Sequence, residues 1–333
     1  MLAVDLKSFG GPEVLHVTEV ADPVPAPGEL LVKVHATAVN RADILQRRGL
    51  YPPPPGASPH LGLEVSGVVQ RGGLGFFAGD RVMALLPGGG YAQLATVPAD
   101  MLMRIPSNLS FEQAAAFPEV WLTAYDNLIN WGRLAEGEIA LVHGGGSGVG
   151  TAAIQLCKQR GARVIVTAGS SEKVAKCLEL GADAAIDYKT EDFVARVKEL
   201  TREGGAVASA SGESGVDVVL DVQGASYLEK NLRSLAVGGR LVVIGLQGGV
   251  KAELDLALLM QRRASVMSTS LRARPLAAKV ALTRQVERDV LPGIAAGRLK
   301  PVVDRVFDLA DVAEAHRHME SSAHFGKIVL RVP

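Results

Sequence analysis

The stretch Leu141-Val142-His143-Gly144-Gly145-Gly146-Ser147-Gly148-Val149-Gly150-Thr151-Ala152-Ala153 concentrates the residue types that bind a charged cofactor. An apolar run, Glu138 to His143, leads into it, and Ile154, Leu156 and Cys157 leave it at helical spacing. The segment therefore reads as strand, tight glycine turn and helix. Glycines there let the backbone approach a pyrophosphate closely, and the free N–H groups of the helix start face its negative charge. A dinucleotide is the expected ligand. The G-x-G-x-x-G spacing falls at positions 145, 147 and 150, with Ser147 in the middle place and Gly148 after it.

The next strand decides which dinucleotide. NAD sites place Asp or Glu at the end of that strand to bond the ribose hydroxyls, whereas a 2′-phosphate requires that acid to be absent. Here the strand ends Thr167-Ala168-Gly169-Ser170-Ser171, with Lys173 one helical step on. Ser170 and Ser171 can donate to a phosphate, Lys173 supplies charge, and Tyr188 after the third strand can wall the adenine side. NADPH is the expected cofactor. Two alternatives stay open: the serines only cap the helix beside a solvated Lys173, or Glu172 turns inward and restores NAD.

Around this turn the chain divides. Short apolar or alternating runs separated by Gly and Pro occupy the first part: Val14 to Val20, Glu29 to Ala38, Glu64 to Gln70, Asp80 to Leu85 and Gly90 to Val97. They predict a mostly β lobe. Between two of them, Ala38 to Tyr51 reads as a helical turn or two, and the four prolines that follow stiffen a loop presenting Tyr51. Helices are expected around 111–116 and 121–125. Strand and helix then alternate through Arg163–Ala168, Ser171–Leu180, Ala184–Asp187, Thr190–Glu203, Val216–Val222, Ala225–Ala236, Arg240–Leu246, a helix near Leu254–Gln261, and Ala264–Thr269. Such alternation builds a parallel sheet covered on both faces, a Rossmann-type domain with ligands at the carboxyl ends of its strands. One long helix, Lys279 to Ala296, and the tail Val302 to Val332 are expected to return to the first lobe. The segment 202–215 reads as a polar surface loop.

Bulk properties narrow the partner. At 333 residues two domains are the natural expectation. Lysine plus arginine and aspartate plus glutamate number 35 each, which removes the electrostatic footprint of a nucleic-acid or anionic-membrane binder. The only cysteines, Cys157 and Cys177, form no C-x-x-C pair. No apolar stretch reaches the roughly 18 residues of a membrane span. A soluble, cytoplasmic protein with a small-molecule partner is expected.

Asn40-Arg41-Ala42-Asp43 in the β-rich lobe, the Leu122-Thr123-Ala124 helix, the glycine turn and the closing Gly326-Lys327-Ile328-Val329-Leu330 resemble the medium-chain dehydrogenase/reductase superfamily over essentially the whole chain. Asn40 to Tyr51 with its prolines, Ala84 to Gly90 and Ala114 to Glu119 are similar to zeta-crystallin-like quinone oxidoreductases, in particular the tumour-suppressor-inducible subgroup. The resemblance implies an α/β protein: a GroES-like β-rich catalytic domain (1–122 and 272–333) and a Rossmann NADPH-binding domain (123–271), with the site in the cleft between domains. Zinc-dependent members carry Gly-His-Glu where this chain has Gly62-Leu63-Glu64, and a cysteine before it that is missing here. Leu63 cannot bind zinc, so no metal is expected, and His60 is taken as a surface or packing residue.

The resemblance also implies roles. Thr123 and Ser147, Gly148, Val149 and Gly150 contact ribose and pyrophosphate; Gly169, Ser170, Lys173 and Tyr188 surround the adenosine end; Gly245-Leu246 and Ser268 to Leu271, including Thr269, hold the carboxamide through backbone groups. Asn40 lies near the nicotinamide ribose, whereas Asp43 is a structural helix-start carboxylate. An arginine that helps bind the 2′-phosphate in a related enzyme is replaced by Ser322, which leaves that work to Lys173. Tyr51 either orients an acceptor carbonyl or stiffens the proline loop. Quinones suit such a site, because aromatisation stabilises their products and no specialised acid is then required. Two other functions stay open: reduction of activated C=C bonds (an enal, enone or enoyl thioester) with Tyr51 as proton donor, and NADPH binding without catalysis. A homodimer is expected through the last Rossmann strand, 264–269, at a sheet edge. The physiological acceptor and the one- or two-electron outcome are not encoded legibly.

Overall fold

The computed structural model describes residues 1–207 and 214–333. Its contacts divide into two units, Met1–Leu122 with Leu271–Pro333, and Thr123–Ser270. Of the segment 202–215 read as a loop, positions 208–213 lie outside the described residues.

In the first unit, β1 (Leu2–Leu6) pairs antiparallel with β2 (Leu15–Glu19). A larger sheet is built on β3 (Glu29–Val39), whose even positions from Leu30 to Ala38 are buried, as the period of a half-covered strand demands. Helix α1 (Arg41–Arg47) follows, then β4 (Glu64–Val69), β5 (Arg81–Leu85), β6 (Leu94–Pro98) and β7 (Met103–Arg104). Helix α2 (Phe111–Ala115) comes next, then α3 (Pro118–Tyr125), whose residues from Thr123 onward count to the second unit. Ser110 starts α2 as a capping box, its hydroxyl accepting from Gln113 N while Gln113 reaches back to Ser110 N.

The second unit alternates as its sequence period predicts: β8 (Ile139–His143), α4 (Gly148–Gln159), β9 (Arg163–Ala168), α5 (Ser171–Glu179), β10 (Ala184–Asp187), α6 (Phe193–Thr201), β11 (Val216–Asp221), α7 (Leu228–Ser234), β12 (Leu235–Val243), α8 (Leu256–Arg262) and β13 (Ser265–Ser268). Its six strands are all parallel in the order β10-β9-β8-β11-β12-β13. This is the doubly wound arrangement, and its order reverses between β8 and β11, the switch point at which such sheets bind ligands. The core under the sheet joins Leu141, Ile165, Ile186, Phe193, Val219 and Leu241.

The chain then supplies α9 (Leu276–Asp289), α10 (Leu291–Ala295), β14 (Val303–Asp308), α11 (Val312–Ser321) and β15 (Lys327–Arg331) to the first unit. Strand β15 pairs antiparallel with β3, Val329 opposite Ala38, and parallel with β14. The single helix expected over 279–296 is two helices. Pro292, at the start of α10, donates no N–H and clashes with the preceding turn, so the chain kinks at Val290. The strand expected at 240–246 runs instead from Leu235 to Val243, and the helix before it ends at Ser234. Gly238 and Gly239 concealed its start, since glycines in a strand read as a turn.

Candidate functional site

In the second unit, the expected cofactor contacts gather at the carboxyl ends of the parallel strands. Ser147 precedes α4 and its hydroxyl accepts from Gly150 N at 3.0 Å. A β-carbon at Gly150 would stand 2.3 Å from the Gly144 carbonyl oxygen, and one at Gly145 would stand 2.7 Å from Val166 Cβ. The two outer glycines of the fingerprint are thus required by contact between turn, strand and helix. No described residue accepts from Gly148 N or Val149 N, the first N–H groups of α4. Two free donors, a helix start and a turn without side chains fit a pyrophosphate.

The turn is braced from beneath by His143, which is buried. Thr167 Oγ1 lies 3.0 Å from His143 Nδ1 and accepts from Gly144 N, while His143 Nε2 lies 2.7 Å from Asn231 Oδ1. With Thr167 accepting from Gly144, its own hydrogen goes to Nδ1, and Nε2–H donates to Asn231. Burial pushes the imidazole down to about 4, so it is neutral.

After β9, Ser170 caps α5 by accepting from Lys173 N, and a β-carbon at Gly169 would stand 2.6 Å from the Tyr188 hydroxyl. Tyr188 therefore closes over Gly169. Glu172 is turned outward to Lys176, 2.7 Å away. Gly245 and Leu246 follow β12, where a β-carbon on Gly245 would meet the Val222 carbonyl at 2.7 Å. Thr269 follows β13, and its hydroxyl donates to Asn127 Oδ1 at 2.6 Å. Asn127 Nδ2 in turn donates to the Thr123 carbonyl, so Thr123 and Thr269 share one anchor.

Asn40, Tyr51, Leu271 and Ser322 belong to the first unit. Ser322 ends α11 in the left-handed conformation, with φ of 54°. Asn40 precedes α1, and its amide is committed within the unit: Nδ2 donates to Glu64 Oε1 at 2.8 Å, and Oδ1 accepts from Lys327 Nζ at 2.7 Å. Lys327 also reaches Glu64 Oε1 at 2.8 Å and the Val39 carbonyl at 2.9 Å. Asp43 is the structural carboxylate expected, accepting from Asn40 N, Gly62 N and the Tyr91 hydroxyl. Burial pushes it up to about 6 against the pull of those N–H groups and of the Lys327 and Arg272 charges. Beyond Tyr91 stands His316, held neutral by burial and by Arg47, whose guanidinium donates toward Nδ1.

Tyr51 is governed by a residue that sequence reasoning missed. Arg272 is nearly buried, and its guanidinium carbon lies 5.2 Å from the Tyr51 ring centroid. It donates to the Pro87 carbonyl at 2.8 Å, to Gln46 Oε1 at 2.7 Å and to the Tyr51 carbonyl at 3.4 Å. One arginine thus ties the proline loop to α1 and to the Pro87 turn. Glu64, Glu119 and Lys327 were also missed as a group, although each lies in a motif quoted for the resemblance. A buried ion pair leaves no periodic trace in sequence. Leu63 is buried, and among the described residues no three His, Cys, Asp or Glu are placed to hold a metal ion. His60 Nδ1 lies 3.6 Å from an Asp5 carboxylate oxygen, with its side chain mostly covered.

A parallel doubly wound sheet with a glycine phosphate turn in one unit, and a β-rich unit in which a buried arginine lies over a tyrosine, define a two-domain dinucleotide-dependent oxidoreductase architecture. Comparison with known proteins gives the family. Residues 148–284 match the zinc-binding dehydrogenase model and residues 26–107 the alcohol dehydrogenase GroES-like domain model. The quinone oxidoreductase of Rattus norvegicus is 32% identical over 99% of this chain and 97% of its own length. Among solved structures, an NAD-dependent alcohol dehydrogenase superposes with a TM-score of 0.87 at 34% identity, covering 100% of both chains. The Escherichia coli quinone oxidoreductase complexed with NADPH gives 0.86 at 32% identity over 99% of this chain and 100% of that one. JamJ enoyl reductase gives 0.85 at 28% identity over 100% and 99%. The chain belongs to the medium-chain dehydrogenase/reductase superfamily, in its quinone oxidoreductase-like branch.

Proposed function

We propose that this protein is a zinc-independent, NADPH-dependent quinone oxidoreductase of the zeta-crystallin-like group, acting in the cytoplasm. The observation that carries the reading is Leu63: a buried aliphatic side chain stands at the position that the zinc-dependent members fill with a metal-ligating histidine. NADPH is favoured because β9 ends without an acid and Glu172 is engaged by Lys176. In this reading Gly148 N and Val149 N bind the pyrophosphate, Ser170 and Lys173 face the 2′-phosphate, and Tyr188 covers the adenine. Gly245, Leu246, Thr269 and Leu271 present backbone groups to the carboxamide. The bound cofactor supplies a hydride to the acceptor. Tyr51 Oη orients the acceptor carbonyl, and Asn40 acts by fixing the start of α1. Cys157 and Cys177 are free and buried, in keeping with a reducing compartment.

The enoyl reductase likeness favours a second reading, reduction of an activated C=C bond with Tyr51 Oη giving the proton. The deciding experiment measures initial NADPH oxidation with an ortho-quinone and an enone, for wild type and Tyr51→Phe. Turnover of the quinone that survives loss of the hydroxyl with a moderate fall, as expected of a group that orients the carbonyl and gives no proton, supports the first reading. Preference for the enone, abolished by Tyr51→Phe, replaces it with the second.

We also propose a homodimer. Strand β13 ends the sheet order, and Val266 on it is exposed, as are Leu256 and Met260 of α8, the helix that precedes it. Sedimentation at micromolar concentration is expected to give a dimer; a monomer refutes the assembly.

A further inference from the structure

After α3 the chain winds wider than an α-helix. Asp126–Trp131 form a π-helical turn, closed by Gly132 N donating to the Asn127 carbonyl, five residues back, at 2.9 Å. A β-carbon at Gly132 would stand 2.7 Å from that carbonyl oxygen, so the wide turn requires glycine there. Arg240 on β12 holds the same end: its Nε donates to the Gly132 carbonyl at 2.9 Å, while its two Nη atoms pair with Glu138. The turn delivers Asn127, 2% exposed, to the end of the sheet. Both ends of its amide are used. Nδ2 donates to the Thr123 carbonyl at 2.8 Å, and Oδ1 accepts from the Thr269 hydroxyl at 2.6 Å. The Thr123 carbonyl can only accept, which fixes the orientation of the amide. All of these residues belong to the second unit.

Thr269 stands one residue beyond β13 and donates its N–H to the carbonyl of Val243, the last residue of β12, at 3.3 Å. Its hydroxyl goes to Asn127, so its carbonyl is the polar group left over, and no described residue donates to it. On the neighbouring strand end, Gly245 N and Leu246 N meet no acceptor among the described residues. Strand ends about 5 Å apart that leave one acceptor and two N–H donors match a primary carboxamide, whose NH2 gives a hydrogen bond and whose oxygen takes one. The sheet order agrees with this. Lys173 and Tyr188 follow β9 and β10, the glycine turn follows β8, and a dinucleotide that crosses the switch point lays its nicotinamide half over β11 to β13. Strand β13 is the last of the sheet, so its end has no neighbour on the outer side to hold it. We propose that Asn127 is a positioning residue for the nicotinamide: by holding the Thr269 hydroxyl it fixes the direction of the Thr269 carbonyl, which accepts from the carboxamide NH2. The inference rests on the assignment of Thr269 to the carboxamide made above.

Binding to the whole protein separates this role from a structural one. Calorimetric titration compares NADPH with 2′-phospho-ADP-ribose, which lacks the nicotinamide, and NADP+ with its 3-acetylpyridine analogue, in which a methyl group replaces the NH2. Wild type is expected to prefer NADP+ to the analogue by about fivefold or more, the worth of one hydrogen bond. Asn127→Leu and Thr269→Val are each expected to weaken NADPH by about fivefold to tenfold, to bind 2′-phospho-ADP-ribose as wild type does, and to lose the discrimination against the analogue. Thr269→Ser, which keeps the hydroxyl, is expected to restore that discrimination. The double variant Asn127→Leu/Thr269→Val is expected to be no worse than the poorer single one, since both remove the same bond. Thr269 is half-buried, so Thr269→Val carries the test if Asn127→Leu does not fold. Equal weakening of NADPH and 2′-phospho-ADP-ribose, single losses that simply add, or variants that discriminate as wild type does, overturns the proposal. A wild type that binds NADP+ and the analogue equally overturns the carboxamide assignment itself, and the positioning role with it.

Discussion

Lys327 is the residue whose removal has the most calculable consequence. Its ammonium has three acceptors, Glu64 Oε1, Asn40 Oδ1 and the Val39 carbonyl, at 2.8, 2.7 and 2.9 Å, so each of its three N–H bonds is used. Its side chain is 4% exposed and that of Glu64 is 0% exposed. Lys327→Met leaves the Glu64 carboxylate without its counter-charge and the Asn40 oxygen without a donor. Breaking a buried pair from one side costs about 3–5 kcal/mol. Replacing both charged partners, in Lys327→Met/Glu64→Gln, leaves no stranded charge, and the double variant is expected to recover roughly 2 kcal/mol of the summed single costs. Guanidinium unfolding reads this when followed by Trp121, buried in the first unit, in a Trp131→Phe background that silences the tryptophan of the second unit. The probe matters because two units need not unfold in one step. A Lys327→Met cost below about 1 kcal/mol, or single costs that simply add, would refute the buried-pair reasoning.

Three further outcomes follow from the geometry. Arg272→Met frees the Tyr51 loop from Gln46 and Pro87, so acceptor KM is expected to rise and kcat to fall about tenfold or more, while NADPH affinity by fluorescence titration stays unchanged; parallel loss of NADPH affinity counts against it. Lys173→Ala is expected to weaken NADPH by about 1 kcal/mol or more and to leave NADH untouched, so an equal effect on both cofactors in competition binding contradicts the 2′-phosphate assignment. His143 titrates at about 4 in the fold against an ordinary 6.5. Between those values the unfolded chain binds more protons, so its stabilisation is full above pH 6.5 and lost as pH falls toward 4. The sum is of order 3 kcal/mol, and urea unfolding of His143→Gln is expected to lack this slope.

The parts legible in sequence were those fixed by local rules. The β8–turn–α4 unit was readable because its glycines follow a fixed spacing between an apolar strand and a helix, and Gly150 is demanded by the Gly144 and Gly145 carbonyls a few residues back. The Asp43 role was readable because it closes on Asn40 N, three residues back. Glu119, Arg272 and Lys327 were not, since their meaning lies in contacts far apart along the chain: Lys327 meets Asn40 across 287 positions, and Arg272 meets Gln46 across 226. Pattern reading finds apolar stripes, and charged residues inside a unit interrupt a stripe without announcing their partners. The strand at 235–243 was misjudged for a local reason, because two glycines outweighed the valines on either side. The helix break at Pro292 was written in the sequence and was overridden by the apolar spacing around it.

The most direct test of the central claim is NADPH oxidation by an ortho-quinone with protein freed of metal by chelation, its metal content measured by mass spectrometry. One NADPH consumed per quinone, at a rate unchanged by chelation and not raised by added zinc, is the predicted result. Activity that vanishes on chelation and returns with zinc, or no oxidation with any quinone, would contradict it.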